Sequence, residues 1–386
     1  MKRRKPKKVA IALEVQWGHK RHLETYAGCQ RYADEAGWDC SITPTTPNLL
    51  RMENGKPSFD GILARATPAL ASTAKRMKVP LVNLWLNSPT QNLPGVFGDF
   101  VSSGTMAAEH LIGRGFKRFG YLGFLRDKDA GLQLTGFRNR LKGEGLRCIA
   151  HRFSRESVTD KARGWKTFID DLGKWADSWE PPIGIFVVND LFCRYLIDVC
   201  RAKDLHVPQD VGIVGSSNEP TICASPPPTL TSIDLSCEQI GYRAASLLDR
   251  MMKGAKPPKT PELVPPLELI PRQSTDSYAA DDPIVSRALR FIAESAHRPI
   301  KVIDVANETG VNRRTLERRF SESVGRSIAG EITRLRLARA KRQLVESGSL
   351  LKTVARACGF RNADHFHKVF ARAEGITPTQ YRKKRQ

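Results

Sequence analysis

The chain has 386 residues and carries 62 Lys and Arg against 40 Asp and Glu, a formal net charge of +22. That length exceeds one ordinary core and predicts two folded units, while the charge predicts a polyanionic partner or an anionic membrane surface. From residue 284 to the end there are 23 basic and nine acidic residues, so most of the excess belongs to one domain in the last quarter. No window approaches the roughly 20 consecutive apolar residues of a membrane span, and no cleavable signal pattern follows the basic residues 2–8, so a cytoplasmic chain without a membrane partner is expected. The cysteines, at 29, 40, 148, 193, 200, 223, 237 and 358, contain no CxxC pair. That pattern argues against a zinc ribbon or a redox motif and predicts free, mostly buried thiols.

Residues 1–8 read as a solvated basic tail. Val9-Ala-Ile-Ala-Leu-Glu-Val15 suits a buried strand, and a helical stretch follows to about Ala36. Further strands are predicted at 60–64, 80–84, 119–123, 183–188 and 211–215. Helices are predicted at 102–114, 132–142, 191–203 and 237–253. Apolar strands alternating with helices imply parallel sheets covered on both faces, and residues 9–272 are long enough for two such α/β lobes. The pattern breaks in Gly-Ala-Lys-Pro-Pro-Lys-Thr-Pro from Gly254, and a linker is placed at 273–283. Residues 284–386 show only amphipathic helices punctuated by Pro and Gly, so this domain is all-α.

Two helix-turn-helix units are predicted in it. In the first, residues 302–308 carry Ala306, Gly310 makes the turn, and Asn312 caps a helix running to about Val324. Leu316, Phe320 and Val324 form its buried stripe, which turns Arg314, Glu317 and Arg318 outward with Arg313 and Arg319 on the flanks. In the second, residues 351–357 carry Ala355, Gly359 turns, and a helix from about Asn362 buries Phe366, Val369 and Phe370 while presenting Asp364, Lys368 and the Arg361 side. Arg314 and Arg318 are the candidates for bidentate reading of guanine, whereas Arg313, Arg319 and Arg361 are assigned to phosphates. Glu317 either accepts from cytosine or orients an arginine, the second being preferred. His365 and His367, two apart, face different sides of a helix and are not a metal pair; phosphate contact or plain exposure is expected of them.

Arg336-Leu-x-x-Ala340, Ala355-x-x-x-Gly359-Phe360, Phe366-x-x-x-Phe370 and Gly375-x-Thr-Pro378-x-x-Tyr381-Arg382 resemble the AraC-type DNA-binding domain over about 100 residues. By that resemblance, Arg314, Glu317 and Arg318 in the first unit, and Ala363, Asp364 and Lys368 in the second, are base-facing. The stretch 99–123, Gly136-Phe137, Val188-Asn-Asp190, Val207-Pro-x-Asp-Val211 and Leu230-Thr-Ser-Ile233 are similar to the LacI/GalR-type sugar-sensing domain, itself like periplasmic sugar receptors. The junction Val264-Pro-Pro-x-x-x-Ile270-x-Arg272-x-Ser-Thr-Asp276 resembles the xylose operon activators. The resemblance implies a two-lobed periplasmic-binding-protein-like sensor followed by an all-α domain with two helix-turn-helix units, a homodimer on double-stranded DNA, and a pentose effector, D-xylose first.

Such a sensor holds its ligand where loops leave the carboxyl ends of the strands. Trp17, Asp99, Arg126, Asn189, Asp190, Ser217, Asn218 and Glu219 are therefore the candidate ligand residues: amides, carboxylates and a guanidinium for hydroxyls, an aromatic face for C–H groups. Two positions depart from the xylose regulators, Ser217 where an Asp is expected and Gln133 where an Arg is common, and both remove charge from the clamp. No Walker loop, HExxH or GxSxG elbow occurs, so neither an enzyme nor a cofactor is expected.

Overall fold

The structure is a computed structural model that describes residues 6–15, 20–43, 50–53, 56–154, 158, 162–280, 282–346 and 349–385. Its contacts divide the chain into a first unit ending at Asp276 and a second unit made of Ser277 onward with Arg114–Phe116.

The first unit begins with β1 (Lys8–Ala12), α1 (Lys20–Ala36), β2 (Asp39–Ile42), β3 (Met52–Glu53), β4 (Lys56–Pro57) and β5 (Gly61–Ala64). It continues through α2 (Pro68–Arg76), β6 (Leu81–Asn83), β7 (Val96–Gly98), α3 (Phe100–Gly113), β8 (Arg118–Phe124), α4 (Lys128–Gly143) and β9 (Cys148–Phe153). Next come α5 (Ala162–Asp177), β10 (Ile183–Val187), α6 (Asp190–Ala202), β11 (Val211–Ser216), α7 (Pro220–Ala224) and β12 (Thr231–Asp234). It closes with α8 (Cys237–Met252), β13 (Glu262–Val264) and β14 (Glu268–Ile270).

Two sheets make two lobes. The first has the order β2-β1-β5-β6, all parallel, and the second β14-β12-β11-β10-β8-β9, parallel except for β14, which runs antiparallel to β12. Strands β5, β10 and β11 are buried at every position, as strands covered on both faces must be. The chain crosses between lobes after β7, after β12 and after β13, because α8 returns to pack on α1 and β13 pairs with β7. One helix pair in each lobe is in close contact. A Cβ on Gly28 of α1 would meet Glu238 O of α8 at 1.8 Å, and one on Gly241 would meet Thr25 O at 1.9 Å. Gly104 of α3 and Gly136 of α4 make the same reciprocal approach, at 2.0 and 1.9 Å.

The second unit is helical: α9 (Pro283–Ser295), α10 (Val302–Thr309), α11 (Arg313–Val324), α12 (Ile328–Glu346), α13 (Leu351–Ala357), α14 (Ala363–Glu374) and α15 (Pro378–Arg385). It repeats itself at a spacing of fifty residues. Asn312 and Asn362 each cap their helix by accepting a backbone N–H, from Thr315 at 2.9 Å and from His365 at 2.8 Å. Leu316 and Phe320 on α11 match the buried Phe366 and Phe370 on α14, and left-handed Gly325 and Gly375 close the two helices. Each half has its own apolar core, and α12 contributes to both, Ile328 and Ile332 to one and Leu337, Ala340 and Leu344 to the other.

The boundary between the units, at Asp276 and Ser277, falls inside the stretch 273–283, whose described residues are packed on both sides of it. Gln273–Thr275 forms a 3₁₀ turn whose Ser274 and Thr275 are 0% exposed, because their short hydroxyls find partners on the strand ends of the first unit. Ala279 and Ala280 are buried in the second unit, where Ala279 N–H donates to Arg114 O at 2.9 Å.

Candidate functional site

Between the two lobes of the first unit lies a cavity of about 310 Å³. The opening turns of α1 and α4 face it from opposite lobes, with Arg21 and His22 on one and Asp127 and Asp129 on the other. Arg65 follows β5, and Trp85 and Asn87 follow β6, so strand ends of the first lobe supply a guanidinium, an indole and an amide. Arg65 stacks over Trp85 at 4.9 Å and is ion-paired with Glu14.

The lobes are joined through polar side chains. Arg21 Nη2 meets Asp129 Oδ2 at 2.8 Å. Asn87 Oδ1 accepts the first backbone N–H of α4, from Lys128 at 2.7 Å, while its Nδ2 donates to Asp127 and Asp129 at 3.3 and 3.2 Å. In the reverse direction, Glu219 Oε2 accepts the first backbone N–H of α1, from Lys20 at 2.9 Å. Each helix thus has an unsatisfied N-terminal donor met by an acceptor from the opposite lobe.

Asp190, 1% exposed, is the deepest carboxylate lining the cavity. Burial pushes its carboxyl up to about 6, against the opposing effect of Ser232 Oγ donating at 2.5 Å and Glu219 N–H donating at 2.8 Å. Gln133 is also buried and donates from Nε2 to Ser216 Oγ at 3.0 Å. Phe100 and Phe124 add apolar surface to this polar lining. Carboxylates and amides beside flat apolar faces are the groups that hold a small polyhydroxylated molecule. Among the described residues no cluster of His, Cys, Asp and Glu could hold a metal ion.

In the second unit Arg313, Arg314 and Arg318 of α11 are exposed, as are Arg361 and, on α14, Asp364, His365 and Lys368; Ala363 is half-buried. Arg313 pairs with Glu317 at 3.0 Å and Arg318 with Glu322 at 3.1 Å. Arg319 reaches Asp282, the cap of α9, at 3.3 Å. Arg314, Arg361 and Lys368 make no ion pair among the described residues.

Residues 108–275 match the periplasmic binding protein-like domain family, and residues 305–384 match the helix-turn-helix domain family. The xylose operon regulatory protein of Escherichia coli (strain K12) is 29% identical over 276 residues, 71% of this chain and 69% of the relative. That of Haemophilus influenzae is 31% identical over 227 residues, 59% of each. A solved structure described as the xylose-binding transcription activator xylR superposes with a TM-score of 0.75 at 24% identity, covering 99% of both chains. This chain is a homologue of the xylose operon regulatory proteins. It is an AraC-type, DNA-binding transcription regulator with a periplasmic-binding-protein-like unit ahead of its helices.

In this xylose-regulator homologue, Asn189, Asp190, Ser217 and Glu219 are brought together at the cavity. Asn189 also caps α6, accepting from Phe192 N–H at 3.2 Å. Asn218 lies behind the wall, its Oδ1 accepting from Arg272 at 2.7 Å. Asp99 is not among the lining residues: it sits at the start of α3, where its carboxylate accepts from Ser102 N–H and Oγ. Arg126 is exposed on a turn with φ +57°, away from the lining. Trp17 falls outside the described residues. Sequence reasoning missed Arg21, Arg65, Trp85 and Asn87. The rule that ligands gather at carboxyl strand ends would have found three of them, because Arg65, Trp85 and Asn87 directly follow β5 and β6. Glu317 pairs with Arg313 on the same helix face.

Proposed function

We propose that this chain is a cytoplasmic activator of a sugar-utilisation operon, acting as a homodimer whose sensor unit binds a monosaccharide of pentose size, D-xylose first among the candidates. The observation carrying this reading is the interlobe cavity, at the lower end of the roughly 300–1,000 Å³ of ligand pockets and lined by Asp190, Glu219, Asn87 and Gln133 beside Trp85 and Phe124. Those groups suit hydroxyls and C–H faces. Arg314 and Arg318 are proposed to read bases from α11, and Asp364 and Lys368 from α14 with Ala363 against the groove. Arg313, Arg319, Arg361 and His365 would serve the phosphates or hold their neighbours in place.

The test is a DNA-binding titration at stated salt, on a duplex selected from a random library, with and without D-xylose. Affinity should change by at least tenfold with the sugar. Equal affinity with every pentose would defeat the sensing part of the reading. Sedimentation of a monomer with and without sugar would defeat the dimer.

A second reading is favoured by one observation: Asp127, Asp129, Asn87 and Arg21 are already paired with one another. A sensor closed in this way has either lost its ligand or responds to one that replaces those pairs. A thermal shift across sugars separates the two, since a ligand at about 100 times its Kd adds about 2.7 kcal/mol of stability.

A further inference from the structure

The strand β11 ends at Ser216, and the next two residues have positive φ, +113° at Ser217 and +49° at Asn218. Asn tolerates the left-handed region, but Ser217 at +113° stands where non-glycine residues are rare, so the strain of the turn lies at Ser217. The side chains on this turn face two ways. Ser217 and Glu219 line the cavity, while Asn218 between them points to Arg272.

Behind the turn the hydrogen bonds continue without a gap. Arg272 donates to Asn218 Oδ1 at 2.7 Å and to Leu230 O at 2.7 Å, and its backbone N–H donates to Thr231 Oγ1 at 2.8 Å. Thr231 Oγ1 shares a hydrogen bond with Thr275 Oγ1 at 2.7 Å, and Thr231 N–H donates to Ser274 Oγ at 2.9 Å. On the cavity side, Ser232 Oγ accepts from Asn218 N–H at 2.9 Å and donates to Asp190 at 2.5 Å. The turn is also attached to the opposite lobe, because Glu219 caps α1 and Lys20 Nζ donates to Ser217 O at 3.4 Å. The first unit ends at Asp276, so this network runs from the cavity to the segment by which the chain leaves that unit.

We infer that the Ser217–Asn218 turn is the sensing element and that the Asn218–Arg272 bond transmits its state to residues 272–276. This deepens the proposed function, resting on the reading of the cavity as a ligand site, and names how occupancy is reported. A ligand that bonds Ser217 or displaces Glu219 from α1 acts on the cavity side of a strained turn. The turn is bonded on both sides, and Asn218 is the side chain it presents to Arg272 of the exit segment.

The test is hydrogen exchange on the full chain. Asn218→Gly accepts the positive φ and deletes the amide, which accepts from Arg272 at 2.7 Å and donates to Asp234 at 3.3 Å, so Arg272→Lys, which leaves the Asp234 bond in place, is the variant that separates the two. Without any sugar, Asn218→Gly should speed exchange at the amides of Ser274 and Asp276 by about tenfold, the scale of one lost charge-assisted bond. Arg272→Lys, which removes the fork but keeps the charge, should do the same, also where Asn218→Gly fails to fold. Unchanged exchange at these amides in a folded variant would overturn the link. With saturating D-xylose, the wild-type amides should change their exchange, whereas Asn218→Gly should keep the rise in Tm and lose that change. A variant that still passes on the change would also overturn the link. If D-xylose raises no Tm in the wild type, it is the pentose reading that fails, and the sugar-free comparison alone decides whether Asn218 and Arg272 are coupled.

Discussion

The two helix-turn-helix units share one frame and differ in what presses on it. In the first, Gly310 turns with φ +70° and open space where a Cβ would stand. In the second, Gly359 turns with φ +78°, and a Cβ would lie 2.4 Å from Ala296 O and 2.8 Å from Arg298 O. The charges differ as well. On α11, Arg313 and Arg318 are paired one turn along their own helix, whereas Arg361 and Lys368 of the second unit have no such pair among the described residues. The frame is thus set by local rules repeated twice, and the surroundings by packing that occurs once.

The largest effect should separate the two turns. Gly359→Ala should cost about 3 kcal/mol, from backbone collision added to strain, against about 1 kcal/mol for Gly310→Ala, from strain alone. The urea midpoint of the helical unit's transition would measure both, and equal losses would break the comparison. On the reading surface, Arg318→Ala should relax preference at one base pair at a cost of about 1–3 kcal/mol, while Arg313→Ala should weaken all duplexes alike and lower the salt slope by about one. A binding profile unchanged by Arg318→Ala would remove α11 from base reading.

Arg336 sharpens the contrast from inside. Its guanidinium donates to Ala296 O at 2.9 Å and Arg298 O at 2.7 Å, closing the end of α9. Arg336→Met should therefore destabilise the helical unit by about 1.5 kcal/mol, read from the same urea midpoint, by leaving those carbonyls unmet. Glu322→Gln marks the small end of the series. The Arg318–Glu322 pair is exposed, so stability should move by less than about 0.5 kcal/mol, while DNA affinity rises as Arg318 is freed. A large stability loss in the urea transition would show that the pair holds the helix rather than merely occupying the arginine.

These contrasts also explain what could be read in advance. The Asn caps, the buried stripes four residues apart and the closing glycines depend on neighbours within one or two helical turns, so both units were legible in the sequence. The α/β alternation of the lobes was legible for the same reason. Arg319 was not, because its partner Asp282 lies 37 positions away and nothing near Arg319 announces it. The cavity was half legible. Asp190 and Glu219 stand in recognisable strand-end positions, but Asn87 matters only because α4 of the other lobe brings its first N–H to it. Asp99 misled for a related reason: a carboxylate before a helix satisfies that helix as readily as a ligand, and only the fold decides between them.

Arg336 bonds Ala296 O and Arg298 O, and the missing Cβ of Gly359 lets the second turn lie close to the same two carbonyls at the end of α9. Helix α12 contributes to the cores of both units, so α11 and α14 pack against one shared helix. If both helices enter grooves, as proposed, a duplex would have to offer them at a matching phase, and a single inserted base pair would turn the far groove by about 35°. The adjustment would then fall on the nucleic acid as bending or twisting, whose cost depends on the steps lying between the contacted bases. On that proposal, the flexibility of base pairs that no side chain touches would become part of what this protein selects.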